Sequence, residues 1–251
     1  MIEQRGVVNL SGFIYDGQHS RDYSIVVNKK NIPLTPPIKN RLQEISGFDG
    51  AWDYGVSFEP RPIEVECTIL AGSKSDLKNK MRKLASLLNP RKGARPLIFD
   101  DDPDVMYFAR LSNQIPLEQL GAMGTFTLQF ICPDPFTYAV NERIGNFVND
   151  ISITHNGTWV ARPVLTVTHK GGDGEIKNKR PDNVIETLKF KENSPAGEYV
   201  INCKDYTITK AGEPAYDYVE GDFISLVEGT NMLTNLGNIE RTRIVFRDTW
   251  L

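Results

Sequence analysis

Thr125-Phe126-Thr127-Leu128-Gln129-Phe130-Ile131-Cys132 runs directly into Pro133-Asp134-Pro135-Phe136-Thr137-Tyr138. Phe126, Leu128, Phe130 and Cys132 fall on one face of an extended chain, the period-two signature of a strand with one side buried. Two prolines then follow. Proline lacks the N–H that a ladder needs, so the strand ends there. Polar Asn141-Glu142-Arg143 comes next. The stretch therefore closes one domain and opens another, with expected bounds of 1–138 and 139–251. Each is long enough to bury its own core.

The same alternation recurs outward from this point. Ile63, Val65, Cys67 and Ile69 alternate with Glu64, Glu66 and Thr68. Val105–Leu111 is a second strand of the first half. In the second half, Val164–Thr168, Thr187–Phe190, Glu198–Asn202, Tyr206–Lys210, Phe223–Val227 and Ile239–Phe246 repeat the pattern. Short strands broken by Gly, Pro, Asn and Asp clusters predict sandwiches or barrels. Lys170–Asn183, rich in Gly, Lys and Asp, reads as an exposed, mobile loop.

One helix interrupts the strands. Ser73 and Asp76 have the spacing of a capping box. Leu77, Met81, Leu84, Ala85 and Leu88 form an apolar stripe at helical spacing, and Asn89-Pro90 ends it. Such a helix is expected to close one end or face of a small barrel.

Composition bounds what the chain does. Of 251 residues, 40% are hydrophobic and 24% charged, with a net charge of −3. This is a globular composition, and a whole-chain basic footprint for nucleic acid is excluded. Residues 1–138 carry 16 basic and 16 acidic groups, and residues 139–251 carry 13 and 16. No apolar run reaches the roughly 18–20 residues of a membrane span. Met1-Ile2-Glu3-Gln4-Arg5 does not read as a signal peptide. Cys67, Cys132 and Cys203 are odd in number and far apart, which suggests buried apolar residues and a reducing cytosol rather than disulfides or zinc.

Catalytic and ligand motifs fail on inspection. His19, His155 and His169 fit no metal spacing, and no Gly-x-Ser-x-Gly elbow occurs. Ala71-Gly72-Ser73-Lys74-Ser75 lies where a phosphate loop would, but lacks its glycines. Asp100, Asp102 and Asp104 mimic the start of a calcium loop, yet Val105 stands where the turn glycine belongs and Leu111 where the bidentate glutamate belongs. A polar hairpin turn explains them. Glu64 and Glu66 share a face, as a glycosidase pair would; alternating charges on a strand are more often its solvated side. Trp159, Tyr199, Tyr206, Tyr216, Tyr218 and Trp250 could stack sugars, or anchor a core. No cofactor and no metal is expected, and exposed sheet edges without chemistry point toward assembly.

Several stretches in order resemble the distal tail (Dit) proteins of long, flexible-tailed bacteriophages. Gly12-Phe13 and Ser20–Val27 look like the family's opening strands. Ile45-Ser46-Gly47-Phe48-Asp49-Gly50 is similar to its Gly-Asp-Gly turn, with Phe48 departing from the polar or basic residue expected there. Phe130–Tyr138 looks like the close of the first domain. Asn156-Gly157-Thr158-Trp159-Val160-Ala161-Arg162-Pro163-Val164 resembles the strand leading to a proline, and Phe223–Asn231 the Gly-x-Asn turn near the end.

The resemblance implies a mainly β protein, with an N-terminal small β-barrel or split barrel carrying one α-helix. A galectin-like or carbohydrate-binding-module-like β-sandwich would follow. It implies a structural part of the virion tail tip, assembled in the host cytoplasm and not an enzyme. Residues 1–138 would form a homo-hexameric ring, single or double, as the hub. Residues 139–251 would lie at the periphery. Implied partners are the tail tube protein, the tail-tip or tail-associated protein, a receptor-binding protein and the tape measure protein. DNA would pass through the lumen without specific binding, past a wall lacking dense Lys/Arg, and no membrane is involved. Ring-interface or family-motif positions are Phe13, Gly47, Asp49, Gly50, Pro135, Phe136, Trp159, Pro163, Gly229 and Asn231. A carbohydrate-binding adhesin acting through the C-terminal sandwich is the alternative, and a wall-degrading glycosidase a third reading.

Overall fold

Glutamates and threonines alternating with aliphatics produce the main ladder of the first half. The computed structural model describes residues 11–116 and 118–251; the Met1–Arg5 stretch lies outside them. Chain contacts divide the molecule into Met1–Thr137 with Leu251, and Tyr138–Trp250.

The first unit contains β1 (Phe13–Tyr15), β2 (Gln18–His19), β3 (Ile25–Asn31), β4 (Ile38–Glu44), β5 (Ala51–Phe58) and β6 (Arg61–Leu70). Helix α1 (Lys74–Leu87) follows, then β7 (Arg95–Phe99), β8 (Asp102–Leu111), β9 (Glu118–Leu120) and β10 (Met123–Cys132). β6 and β10 pair antiparallel along their full length, from Arg61↔Cys132 to Leu70↔Met123. Their inward residues, Ile63, Val65, Ile69, Leu128 and Phe130 among them, are fully buried. β8 meets β10 only at Leu111↔Phe130 and Arg110↔Ile131. The sheet path β2-β1-β7-β8-β10-β6-β3 thus stays open, with β2 and β3 as its ends. Of the barrel forms expected, this is the split one; no barrel closes.

Helix α1 covers that core with Leu77, Leu84 and Leu87. Ala85, expected inside, is exposed. Ser73 Oγ accepts from the Asp76 N–H at 3.1 Å. The Asp76 carboxylate accepts from the Gly72 N–H at 3.0 Å, so the reciprocal bond of the capping box lands one residue early.

The second unit follows β11 (Thr137–Ala139), which spans the division. It contains β12 (Arg143–Phe147), β13 (Asp150–His155), β14 (Val164–Lys179), β15 (Ile185–Phe190), β16 (Gly197–Asn202) and β17 (Thr207–Lys210). After these come β18 (Glu213–Pro214), β19 (Val219–Gly221), β20 (Gly229–Phe246) and β21 (Thr249–Trp250). β14 and β20 are long partners whose register shifts between His169 and Gly174. Before the shift β14 pairs with β16; after it, with β15. β20 likewise takes β13 at one end and β12 at the other. Each long strand bends from one layer into the second, and Leu165, Val167 and Ile244 of one layer pack with Ile176, Leu188 and Leu233 of the other. This is a β-sandwich.

The bend is built by polar and glycine chemistry. Gly171 and Gly172 adopt φ +95° and +85°, which side chains resist. Asn235 donates its amide to the carbonyls of Phe147 and Val148, and its Oδ1 accepts from Thr242 Oγ1 at 2.9 Å. Two expectations are corrected here. Lys170–Asn183 is mostly not a loop: up to Lys179 it is β14, where Ile176 and Asn178 are completely buried and the glycines that suggested a loop make its bend, and only Arg180–Asn183 is a turn. Phe223–Val227 is not a strand; its link to the sheet is the isolated bridge Ala161↔Leu226. Glu186 takes the Ser225 N–H at 2.8 Å, which satisfies that backbone group without a ladder.

Candidate assembly interface

β4 and β5 form a two-stranded sheet that joins no other strand among the described residues. Their register places Ile38 opposite Phe58, Asn40 opposite Val56 and Gln43 opposite Trp52. The register shifts between Asn40 and Leu42, so Val56 and Phe58 share a face with Ile38 and Leu42, whereas Trp52 falls on the face of Lys39 and Gln43. Trp52 is 64% exposed, Tyr54 66% and Val56 60%. An isolated hairpin is marginal in water, and large apolar side chains exposed on both of its faces mark an interaction site.

The arm's tip is the Gly47-Phe48-Asp49-Gly50 turn. Gly47 and Gly50 both sit at φ +88°, and the Phe48 N–H donates to the Ile45 carbonyl at 3.2 Å. Phe48, at 77% exposure, and Asp49 point into solvent. At the root, Phe58 meets Phe136 edge-on at 6.1 Å. Buried Arg61 donates from Nε to the Pro135 carbonyl at 2.8 Å and from Nη1 to the Pro33 carbonyl at 3.0 Å. One guanidinium thus ties the start of the arm to the Pro-Asp-Pro-Phe segment. Burial lowers its pKa.

The remaining predicted positions separate into core and surface. Phe13 is a core residue, edge-on to Phe130 at 6.3 Å. Pro163 is buried, and its carbonyl accepts from the Cys203 N–H at 3.0 Å. Asn231 is fully buried; its side chain bonds the N–H and C=O of Val227 and closes the 227–231 turn that Gly229 enters at φ +98°. Trp159 lines a shallow cleft of about 520 Å³ with Pro181, Val227 and Glu228. The structure therefore gathers Gly47, Asp49 and Gly50 at the arm's tip and Pro135 and Phe136 at its root. It holds Trp159, Gly229 and Asn231 around one corner of the sandwich. Trp52, Tyr54 and Val56 were missed in the sequence, although they alternate with Asp53, Gly55 and Ser57.

The residues considered for chemistry are dispersed. Glu64 and Glu66 lie on the outer face of β6, opposite Gln129 and Thr127, with Lys29 Nζ 3.9 Å from Glu66. Asp100 is held by His19 and Arg21 at 3.0 and 2.7 Å, and Asp101 by Lys30. No group of three metal-ligating side chains gathers among the described residues. Tyr199 is buried in the core, whereas Tyr206 and Tyr216 are about half exposed.

Comparison with known proteins gives this geometry a context. Residues 19–132 match the family of the phage tail protein RIFT-related domain. The distal tail protein of Bacillus phage SPP1 is 26% identical over 245 residues, 95% of each chain. The crystal structure of SPP1 Dit, described as a paradigm of the hub adsorption apparatus in phages infecting Gram-positive bacteria, matches with a TM-score of 0.79. The identity is 22%, over 97% of this chain and all of that one. A chain of the phage p2 baseplate in its activated conformation with strontium shares the fold at a TM-score of 0.52 and 10% identity, over 95% of this chain and 98% of that one.

The mainly β, two-unit chain is therefore similar in sequence and in fold to a phage distal tail protein, and its first unit matches a phage tail protein domain.

Proposed function

We propose that the chain forms a homo-hexameric ring, single or double, that serves as the hub of the tail tip. Residues 1–138 build the ring and residues 139–251 stand at its periphery. The ring joins the tail tube protein to the tail-tip protein, with receptor-binding and tape measure proteins as further neighbours. Its role is structural rather than catalytic, and it assembles in the host cytoplasm. The exposed apolar side chains of the β4–β5 arm carry this reading. Six-fold repetition would lay each arm on a neighbouring copy and cover what the single chain leaves bare. Trp52→Ser/Tyr54→Ser tests it by light scattering of the full chain and electron microscopy of particles. The expected result is a hexamer for the unaltered chain and a monomer for the variant, with tails lacking the hub. A variant that still forms the ring overturns the arm's role.

The adhesin reading draws on Tyr206 and Tyr216, exposed on the second unit with Arg162 stacked 5.1 Å from the Tyr206 ring. Binding of the full chain to purified host wall, lost in Tyr206→Ala/Tyr216→Ala, would favour it.

A further inference from the structure

Eight of the chain's 29 basic residues lie between Lys74 and Arg95, accompanied by one acid, Asp76. The rest of residues 1–138 then holds eight basic and fifteen acidic groups. A unit that is neutral in total is strongly polarised. Along α1 the outer surface is exposed, as are Arg91, Lys92 and Arg95 beyond it. None of these last three has an ion-pair partner among the described residues.

The chain enters β7 at Arg95 and leaves it at Phe99 into the acidic turn that opens β8. Basic and acidic groups therefore occupy opposite ends of one hairpin, about 13 Å apart at ~3.3 Å per residue. Within the turn, Asp100 is ion-paired with Arg21 and Asp101 with Lys30, and His19 Nε2 lies 3.0 Å from Asp100. Asp102 and Asp104 are exposed, with no ion-pair partner among the described residues. Free charges of opposite sign at two ends of one element make a surface complementary to itself head to tail, which is the heterologous contact that a ring requires.

We propose that Asp102 and Asp104 of one copy dock on the Arg91–Arg95 segment and the adjoining α1 surface of the next. This rests on the ring reading only for closure of successive contacts. The compensating acids belong to the same unit, which favours a second copy over nucleic acid.

Two variants of the full chain test it: Arg91→Glu/Lys92→Glu, with both ends acidic, and Asp102→Lys/Asp104→Lys, with both ends basic. All four side chains are exposed, so both variants should melt like the unaltered chain. Sedimentation velocity should show self-association of the unaltered chain at low salt, weakening as salt rises. Each variant alone should associate about tenfold more weakly. An equimolar mixture should recover, because the two variants alternate with matched ends. The docking is overturned by an unaltered chain that stays monomeric or ignores salt, by a variant that associates normally, or by a mixture that does not recover. Binding of duplex DNA lost in the acidic variant while its self-association persists would assign the patch to nucleic acid instead. Rings that persist in every variant would leave the hub reading and sink this contact. Salt-dependent pairing that never closes into a hexamer would do the reverse.

Discussion

His155 Nδ1 lies 2.8 Å from Asp248 Oδ1, joining residues 93 positions apart inside the second unit. His155 Nε2 faces the Trp159 carbonyl at 2.7 Å. Asp248 also accepts from the Asn156 N–H at 3.0 Å and lies 3.2 Å from Arg143 Nη1. This cluster fastens the last strand to the Asn156-Gly157 motif. Burial pushes the Asp248 carboxyl up, but the Asn156 N–H, His155 and Arg143 outweigh it and hold the pKa below the ordinary value. A carboxyl depressed in the folded state stabilises fully above the unfolded value, about 3.9. That contribution disappears as pH falls through the lower, folded value. Asp248→Asn should cost about 2 kcal/mol at neutral pH, the scale of losing charge-assisted hydrogen bonds at a mostly buried carboxylate. The variant should also lose stability less steeply than the unaltered chain on acidification below about pH 4. Urea unfolding of the second unit at several pH values measures both.

Gly157 explains the motif's second residue. A Cβ there would stand 2.1 Å from the Thr249 carbonyl oxygen and 2.6 Å from its nitrogen. Both are backbone atoms in the Trp159↔Thr249 bridge and cannot yield as a side-chain tip can. Gly157→Ala should therefore destabilise the second unit by about 3 kcal/mol, the upper range for overpacking. Thermal unfolding of the variant checks this; an unchanged midpoint would contradict it.

The three cysteines are free and buried, and desolvation raises each thiol to about 12. The thiolate is the reactive species. In the native protein at neutral pH, an aromatic disulfide reagent should find no reactive thiol, and in denaturant it should find three. Protection lost before global unfolding would show local opening of the strands that hold them.

Local patterns were readable, and patterns set by distant partners were not. β6, β10 and the Ser73 cap follow from near neighbours in sequence, because alternation and capping act within a few residues. The bend of β14 depends on β20, more than fifty residues away, so Lys170–Asn183 resembled a loop until its partner was known. Trp52, Tyr54, Val56 and Phe58 alternate in sequence like a half-buried strand, but the register shift against β4 splits them between two faces, and most of them stay exposed in the single chain. Family position also cannot separate core from surface: Phe13, Pro163 and Asn231 are interior, whereas Asp49 is exposed on the arm.

Arg61 offers the sharpest test of how the arm is held. It is 2% exposed, donates to the carbonyls of Pro33 and Pro135, and has no carboxylate partner among the described residues. Its Nη2 is buried without a hydrogen-bond partner. A buried charge so incompletely satisfied is costly, yet the fork spans two carbonyls that a single ammonium cannot reach in the same geometry. Arg61→Lys should therefore lose at least one of these bonds, at about 2 kcal/mol for a hydrogen bond to a charged group. Arg61→Ala should lose both and leave a void, at about 3 kcal/mol or more. Arg61→Met, which removes the charge as Arg61→Ala does but restores volume, should cost less than Arg61→Ala because no void is left. Urea unfolding ranks the three. Hydrogen exchange adds a local readout: faster exchange at the Glu59 N–H, which donates to the Pro37 carbonyl at 2.8 Å, is expected in Arg61→Ala and Arg61→Lys. Unchanged exchange there would show that the arm's root stands without the guanidinium.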